Sequence, residues 1–414
     1  MYIREKKSNF ALYKQVFANI YKKEIYRFSP DYIYYSSKKL TLLTLRNMES
    51  IRNISEKNFY CLILAGGKGK RLWPKSRLDR PKQFIDFFGT GKSLLQQTFE
   101  RFSNIFPREH IFISTSKEYI ALLKEQLPEV DDEHILCEPI HRNTAPIAAW
   151  MTHRVEKRNK DGVIVISPAD QHIVNEENFR RDLLNAMIHA HNHNCFLTMG
   201  IRPTRPEPGY GYIQLGSSCG EEAGNTINTV KSFTEKPNRS FAEMFIESGE
   251  FLWNTGLFIA SVTTFRNRFI DLFPPIMRNL DKTFSEASWK DENKWIEEHF
   301  ATYPNESLES CILEHKENVC VKECQFGWAD IGTWHSIYET YSTYEGENVV
   351  LNTETMLSNT TGCVISLPKG RQAIIDNLHD YIVVENEEIL LITPRTDNSD
   401  DIVKLRIKYG MRKG

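Results

Sequence analysis

Residues 66 to 82 read Gly-Gly-Lys-Gly-Lys-Arg-Leu-Trp-Pro-Lys-Ser-Arg-Leu-Asp-Arg-Pro-Lys and follow an apolar run, Tyr60 to Ala65. Glycines let backbone N–H groups approach an anion closely. Lys68, Lys70, Arg71 and Lys82 add positive charge where phosphates would lie. The residues alone read as a polyphosphate-binding loop, with a plain Gly-Gly turn after a strand as the competing reading. Neither standard phosphate signature is met. At Gly89-Thr90-Gly91-Lys92-Ser93 the glycine required five positions before Gly91 is Asp86. After Gly67 and Gly69, the third position of a dinucleotide fingerprint holds Leu72.

Two carboxylates suit a metal-assisted phosphate reaction. Asp170 lies in Ser-Pro-Ala-Asp-Gln-His (167–172), directly after the strongest apolar strand signal, and Asp330 lies in Gly-Trp-Ala-Asp-Ile-Gly-Thr-Trp (327–334). Two aspartates brought together would hold a hard cation through oxygens, with phosphates and waters completing its shell. Singly each is weak evidence, and Asp170 equally suits a turn or helix cap. Gly209-Tyr210-Gly211-Tyr212 and Trp253-Asn254-Thr255-Gly256 combine small residues, aromatics and an amide, as sugar sites do. Tight turns with core aromatics would read the same way. Glu235-Lys236-Pro237 offers a carboxylate for hydroxyls beside an ammonium for a phosphate, and the polar loop Glu138 to Pro146 suits a base and ribose. His172 belongs near this site in a structural role.

The elements that must position these residues alternate. Helical spacing covers 93–106, 118–126, 147–158 and 179–193, and apolar strand runs cover 60–65, 111–114, 162–167 and 195–200. Such alternation predicts βαβ units, a mixed but mainly parallel sheet, and ligands at the carboxyl ends of the strands. From 349 to 392 short β pieces recur (363–366, 372–375, 381–384, 389–392), which predicts a small β-rich appendage, either stacked turns of a β-helix or a hairpin sheet. Residues 395–414 predict a frayed tail or a final short helix.

Composition narrows the classes. With 414 residues, 41% hydrophobic and 26% charged, the chain reads as a soluble globular protein with one large and one smaller domain. A net charge of −2 argues against a dedicated nucleic-acid binder, and no apolar run approaches the ~18 residues of a membrane span. The eight cysteines are scattered without a C-x-x-C pair, which points to isolated thiols in a reduced cytoplasm rather than to a partial metal site at His315, Cys320 and Cys324. Residues 1–57 carry a net +7 and the remainder a net −9. The expectation for 1–57 is an appended, poorly ordered segment, with Met48 a natural start for a compact enzyme. Apolar spacing at Phe10, Tyr13, Phe17, Ile20 and Tyr21 leaves a membrane-surface or partner-binding helix as the alternative.

Seven motifs occur in one order: A-G-G-K-G-K-R-L-W-P with R-P-K-Q, E-P with R-N-T-A-P, S-P-A-D-Q-H, P-G-Y-G-Y-I, T-E-K-P, W-N-T-G and W-A-D-I-G-T-W. In that order they resemble the mannose-1-phosphate guanylyltransferases, a family of sugar-1-phosphate nucleotidylyltransferases. The resemblance runs from about Asn58 to Tyr341 and, less specifically, to about residue 394. It implies a Rossmann-like α/β nucleotidyltransferase domain over 58–344, a β-rich (β-helix-like) domain over 345–394 and a tail over 395–414. It also implies that GTP and mannose 1-phosphate give GDP-mannose and pyrophosphate, with Mg2+.

Carried over by motif, Gly66, Gly67, Gly69 and Arg71 would cradle the triphosphate, with Arg71 on the departing pyrophosphate and Lys82 beside the α-phosphate. Asp170 and Asp330 would hold Mg2+. Asn143 and Thr144 would lie near the nucleotide, and Gly211, Glu235, Lys236 and Asn254 would bind the sugar phosphate. Pro208 departs from the threonine of many relatives and stiffens the sugar loop. Longer bacterial members carry a cupin-type isomerase domain, for which too few residues follow here, so isomerase activity is not expected. A homodimer could form through the β appendage. The rivals are a relative using UTP or dTTP with glucose 1-phosphate, and a non-catalytic sugar-nucleotide sensor; the joint presence of Arg71, Lys82, Asp170 and Asp330 argues against the sensor.

Overall fold

In the computed structural model, which describes residues 57–222, 225–284, 288–398 and 400–409, the first apolar run forms β1 (Phe59–Leu64). The expected extension over 1–57, with its helical spacing, lies outside the described residues apart from Lys57. Strands β2 (Ile111–Ser116), β3 (Ile135–Glu138) and β4 (Val163–Pro168) join β1 in a parallel set ordered β3-β2-β1-β4. Leu62 lies opposite Phe112 on one side and Ile166 on the other. Sequence signals placed β1, β2 and β4, because each is a buried apolar run; the four-residue β3 lies outside the expected runs. The intervening helices are α1 (Leu94–Ser103), α2 (Ile120–Gln126) and α3 (Ala145–Arg158). Ser93, which ends the false phosphate motif, is an N-cap: it accepts from the Gln96 N–H at 3.2 Å, and the Gln96 side chain accepts from the Ser93 N–H at 2.9 Å.

A three-residue strand, β5 (Gln171–Ile173), and α4 (Glu176–Asn192) lead to β6 (Phe196–Ile201), β7 (Gly211–Glu222) and β8 (Asn225–Glu235). Then come α5 (Arg239–Ser248), β9 (Phe251–Ser261), helices α6 (Val262–Leu272), α7 (Pro274–Phe284) and α8 (Trp289–His299), and β10 (Val319–Cys324). The large sheet reads β3-β2-β1-β4-β9-β6-β10-β8-β7. Of its eight neighbouring pairs four are parallel and four antiparallel, so "mainly parallel" describes only its first half. Beyond residue 200 the helices no longer separate each pair of strands. β7 and β8 form a long hairpin, and β9 runs against both β4 and β6. The main core packs Leu62, Phe112, Trp150, Ile164, Phe258 and Phe265 between sheet and helices.

β11 (Trp328–Asp330) pairs antiparallel with β5 outside the large sheet, and α9 (Trp334–Tyr341) follows. The C-terminal strands are β12 (Val349–Leu351), β13 (Glu354–Ser358), β14 (Val364–Ser366), β15 (Gln372–Asp376), β16 (Tyr381–Asn386) and β17 (Ile389–Pro394). They make two small sheets, β12-β14-β16-β17 and β13-β15, and the tail ends in a short helix, α10 (Asp401–Lys408). These pieces are not set apart from the loop after β1. Val349, Val364, Ile382 and Ile402 share one core with Leu72, Trp73, Phe87 and Trp334. Arg77 grips Glu387 with two bonds of 2.5 Å, Asn386 donates to the Pro74 carbonyl at 3.1 Å, and Lys75 donates to Ser366 Oγ at 3.2 Å. Among the described residues no helix is long and apolar enough to cross a membrane.

Leu62→Ala opens a cavity in a strand flanked on both sides and should cost about 2–5 kcal/mol of unfolding free energy. Ile407→Ala, at a position 72% exposed on α10, should change it by less than about 0.5 kcal/mol. Urea unfolding of the two variants against the parent chain checks the contrast.

Candidate active site

The candidate site is built at the carboxyl ends of β1 and β4. Asp170 follows β4, and the short β5–β11 ladder sets Asp330 opposite Gln171, so two motifs 160 residues apart in the chain meet. The Ile331 N–H donates to the Asp170 carbonyl at 3.3 Å, and the Asp330 N–H donates to the Tyr210 hydroxyl at 3.3 Å. Between the two carboxylates lies Lys82, only 8% exposed, at the start of a 3-10 turn (Lys82–Phe84). Its Nζ is 2.6 Å from Asp170 Oδ2 and 3.6 Å from Asp330 Oδ1, and it donates to the Ile331 carbonyl at 3.1 Å. Burial pushes this ammonium down. Asp170 and then Asp330 outweigh that, aided by the hydrogen bond to Asp170, and hold it above its ordinary value. Lys82 is therefore a permanent buried cation.

The glycine loop is fitted to that lysine. Gly69 has φ +59°, and a Cβ there would fall 2.3 Å from Ser76 Oγ and 3.0 Å from the Lys82 backbone nitrogen. Only glycine accepts both the conformation and the approach. Gln83 Nε2 donates to the Ala65 carbonyl at 2.7 Å and the Gly67 carbonyl at 2.9 Å, tying the two ends of the motif together. Gly67 is exposed, with open space where a side chain would stand. Arg71 lies on the next 3-10 turn (Lys70–Leu72). It lines a small cavity with Thr333, His335, Asn398 and Asp401, and its charge is felt at Lys82.

A second group gathers beside the first. Gly211 lies opposite Glu235 in the β7–β8 hairpin, so close that a Cβ would stand 2.8 Å from Glu235 Oε2. Lys236 pairs with Glu235 at 2.7 Å, and its N–H donates to the Tyr210 carbonyl at 3.1 Å. Tyr210 thus touches both groups, with Asp330 on its hydroxyl and Lys236 on its carbonyl. Its ring also meets Trp253 and Trp328 at 5.2 and 5.0 Å. Asn254 is buried on β9, where its Oδ1 accepts from Thr198 Oγ1 and from the Gly256 N–H, each at 3.2 Å. Gln171 donates to the Thr255 carbonyl, linking Asn254's loop to the Asp170 motif.

Two expected residues face elsewhere in their contacts. Asn143, with φ +61°, accepts the Thr144 N–H on its Oδ1 at 3.1 Å, and Thr144 Oγ1 accepts the Leu308 N–H at 2.8 Å. Both order the entry to α3 against the 306–308 segment. His172 sits between Phe88 and Tyr341, and burial pushes it below its ordinary value, in keeping with a structural role.

Sequence reasoning passed over two carboxyls. Glu138 is buried under the glycine loop, so that a Cβ on Gly66 would fall 3.1 Å from its Oε1, which accepts a hydrogen bond from Ser114 Oγ. Glu309 opens a π-helical turn (Glu309–Leu313) near Gly256, and burial, with a smaller push from Glu235, raises its carboxyl. Glu138 stood inside a motif read for its loop. Glu309 carried no local signal beyond its charge.

The signature of the nucleotidyl transferase family matches residues 60–347. A putative mannose-1-phosphate guanylyltransferase of Vibrio cholerae is 32% identical over 340 residues, 81% of this chain and 71% of that protein. A mannose-1-phosphate guanylyltransferase of Klebsiella pneumoniae is 31% identical, covering 83% of this chain and 72% of that protein. A crystal structure from Thermus thermophilus, described as a mannose-1-phosphate geranyltransferase, superposes with a TM-score of 0.73 at 28% identity. It covers 85% of this chain and 99% of that one.

Burial pushes the Glu138 carboxyl up to about 7, against the opposing hydrogen bond from Ser114. An acid raised in the folded state keeps a proton that the unfolded chain releases, so its contribution is present at low pH and is lost as pH rises through about 7. Glu138→Gln keeps the acceptor and removes the titration. Its unfolding free energy should nearly match the parent at pH 5 and exceed it at pH 8 by on the order of 2–3 kcal/mol. Denaturant titrations at the two pH values check this, and no gain at pH 8 would mean an ordinary carboxyl.

Proposed function

Because the chain belongs to the nucleotidyl transferase family, we propose that it transfers a guanylyl group from GTP to mannose 1-phosphate, giving GDP-mannose and pyrophosphate. The observation that carries this reading is the buried Lys82 held between Asp170 and Asp330 at the mouth of a glycine loop. The mannose-1-phosphate guanylyltransferases that the chain resembles over four-fifths of its length support the choice of substrates.

The reaction joins two anions. An oxygen of the sugar phosphate attacks the α-phosphorus of GTP. A new P–O bond forms, the bond to the bridging oxygen breaks, and pyrophosphate leaves with the electron pair. A phosphate monoester is already nucleophilic at neutral pH, so no general base is required. The protein has to align the two phosphates and offset their charge. Lys82 takes the α-phosphate, where its fixed charge serves both reactants. Arg71 takes the departing pyrophosphate, and the backbone N–H groups of Gly66, Gly67 and Gly69 take the triphosphate. Asn143 and Thr144 order the wall beside the nucleotide. Gly211, Glu235, Lys236 and Asn254 receive mannose 1-phosphate, with Glu235 on hydroxyls and Lys236 on phosphate.

Asp170 and Asp330 fit Mg2+. Their hard oxygens converge on one point at Lys82 Nζ, and the described residues offer no cluster of three or more protein ligands. That sparse donor set suits an ion that keeps substrate phosphates and waters in its shell. When bound, the ion neutralises phosphate oxygens.

The parallel ladders Val349–Val364–Ile382 and Met356–Ile374 support a short β-helix over 345–394, after a catalytic domain over 58–344. The exposed Met356 and Ile374, side by side, support a homodimer contact there. Unpaired cysteines throughout support the cytoplasm, where GTP is abundant.

A cation about 4 Å from an anion is worth about 4 kcal/mol at an effective dielectric near 20. Lys82→Ala and Arg71→Ala should each slow pyrophosphate release from GTP and mannose 1-phosphate by roughly 10²–10³. Near-normal turnover with an intact fold would remove that residue from the mechanism, and a parent chain that prefers UTP with glucose 1-phosphate would overturn the guanylyl reading.

A further inference from the structure

Three cysteines far apart in the sequence converge at the opposite end of the sheet from Lys82. Cys195 directly precedes β6, Cys320 is the second residue of the parallel β10, and Cys219 lies near the end of β7. Asp170 and Asp330 follow carboxyl ends of strands, whereas Cys195 and Cys320 stand at amino ends. The sulfurs of Cys219 and Cys320 are 3.1 Å apart, and the Cys320 thiol donates to Cys195. A disulfide needs about 2.05 Å, so the first pair is about 1 Å from a bond. Cys195 and Cys320 are buried, as small apolar residues often are, but Cys219 is exposed and still turns its sulfur inward.

We propose that Cys219 and Cys320 are a modification site, closing to an intramolecular disulfide when the chain meets a peroxide. The Cys219 sulfur attacks one peroxide oxygen. The O–O bond breaks, leaving Cys219 as a sulfenic acid and releasing water. Cys320 then attacks the Cys219 sulfur, the S–O bond breaks, and the hydroxyl leaves as water with the Cys320 proton. Two thiols lose two electrons and two protons, and hydrogen peroxide takes up both to become two waters. Burial, and then the contact with Cys320, hold the Cys219 thiol up at about 12, which makes the pair a slow responder rather than a peroxide-consuming catalyst. The bond would tie β7 to β10 across the intervening β8. Gly211 and Glu235 lie at the other end of that hairpin.

The test is thiol counting and non-reducing peptide mapping of the full chain after hydrogen peroxide. The count in denaturant should fall by two from the eight cysteines of the chain. The map should show a Cys219–Cys320 pair that dithiothreitol removes, that Cys195→Ser retains and that the surface variant Cys219→Ser lacks. Any of four results would overturn the proposal: eight thiols still alkylated, a Cys195–Cys320 link instead, a link between two chains, or Cys219 carried to sulfinic acid without a link.

Discussion

A cation buried between two carboxylates organises this protein. Removing an ammonium from water is costly, and Lys82 is tolerated only because Asp170, Asp330 and the Ile331 carbonyl surround it. Lys82, Asp170 and the Asp330–Ile331 pair come from three different parts of the chain, so the triad forms only when three segments are brought into register. Gly69 allows the loop to close over the Lys82 backbone, Gln83 ties the loop's two ends, and the β5–β11 ladder sets the aspartates side by side. Two negative charges facing one positive charge also leave the site short of cations.

The C-terminal strands hold the loop that carries Arg71. The loop that carries Arg71 continues through Trp73, Pro74, Lys75 and Arg77, and all but the first are held by contacts with residues 366–387. Trp73 joins the shared core through packing, and its carbonyl accepts the Trp334 indole N–H at 3.1 Å. A segment rich in cations would repel itself if left free. Backing it with a β-rich piece fixes its course through a few exposed or half-buried polar bonds. The β pieces therefore brace the loop that carries Arg71.

Much of this was legible in the sequence, for identifiable reasons. β1, β2 and β4 are short apolar runs that must be buried on both faces, and glycines and cations after β1 have few other uses together. The aspartates could be named because Asp170 follows a strand signal and Asp330 stands between two tryptophans and before a glycine. Their meeting could not be derived from spacing, because β5 and β11 are three residues long and lie far apart. β13 escaped because Glu354 to Ser358 alternates exposed and half-buried residues without an apolar run. Glu138 and Glu309 escaped for another reason: a raised carboxyl is a property of what packs around it. The same holds for Cys195, Cys219 and Cys320, whose spacing suggests isolated thiols.

Whether Lys82 and Asp170 work as one unit is measured directly by a double-mutant cycle on pyrophosphate release. Lys82→Met and Asp170→Asn should each slow turnover by roughly 10²–10³, while the double variant should be little slower than the worse single one. Losses that multiply in the double variant would show two independent groups and rule out a shared unit.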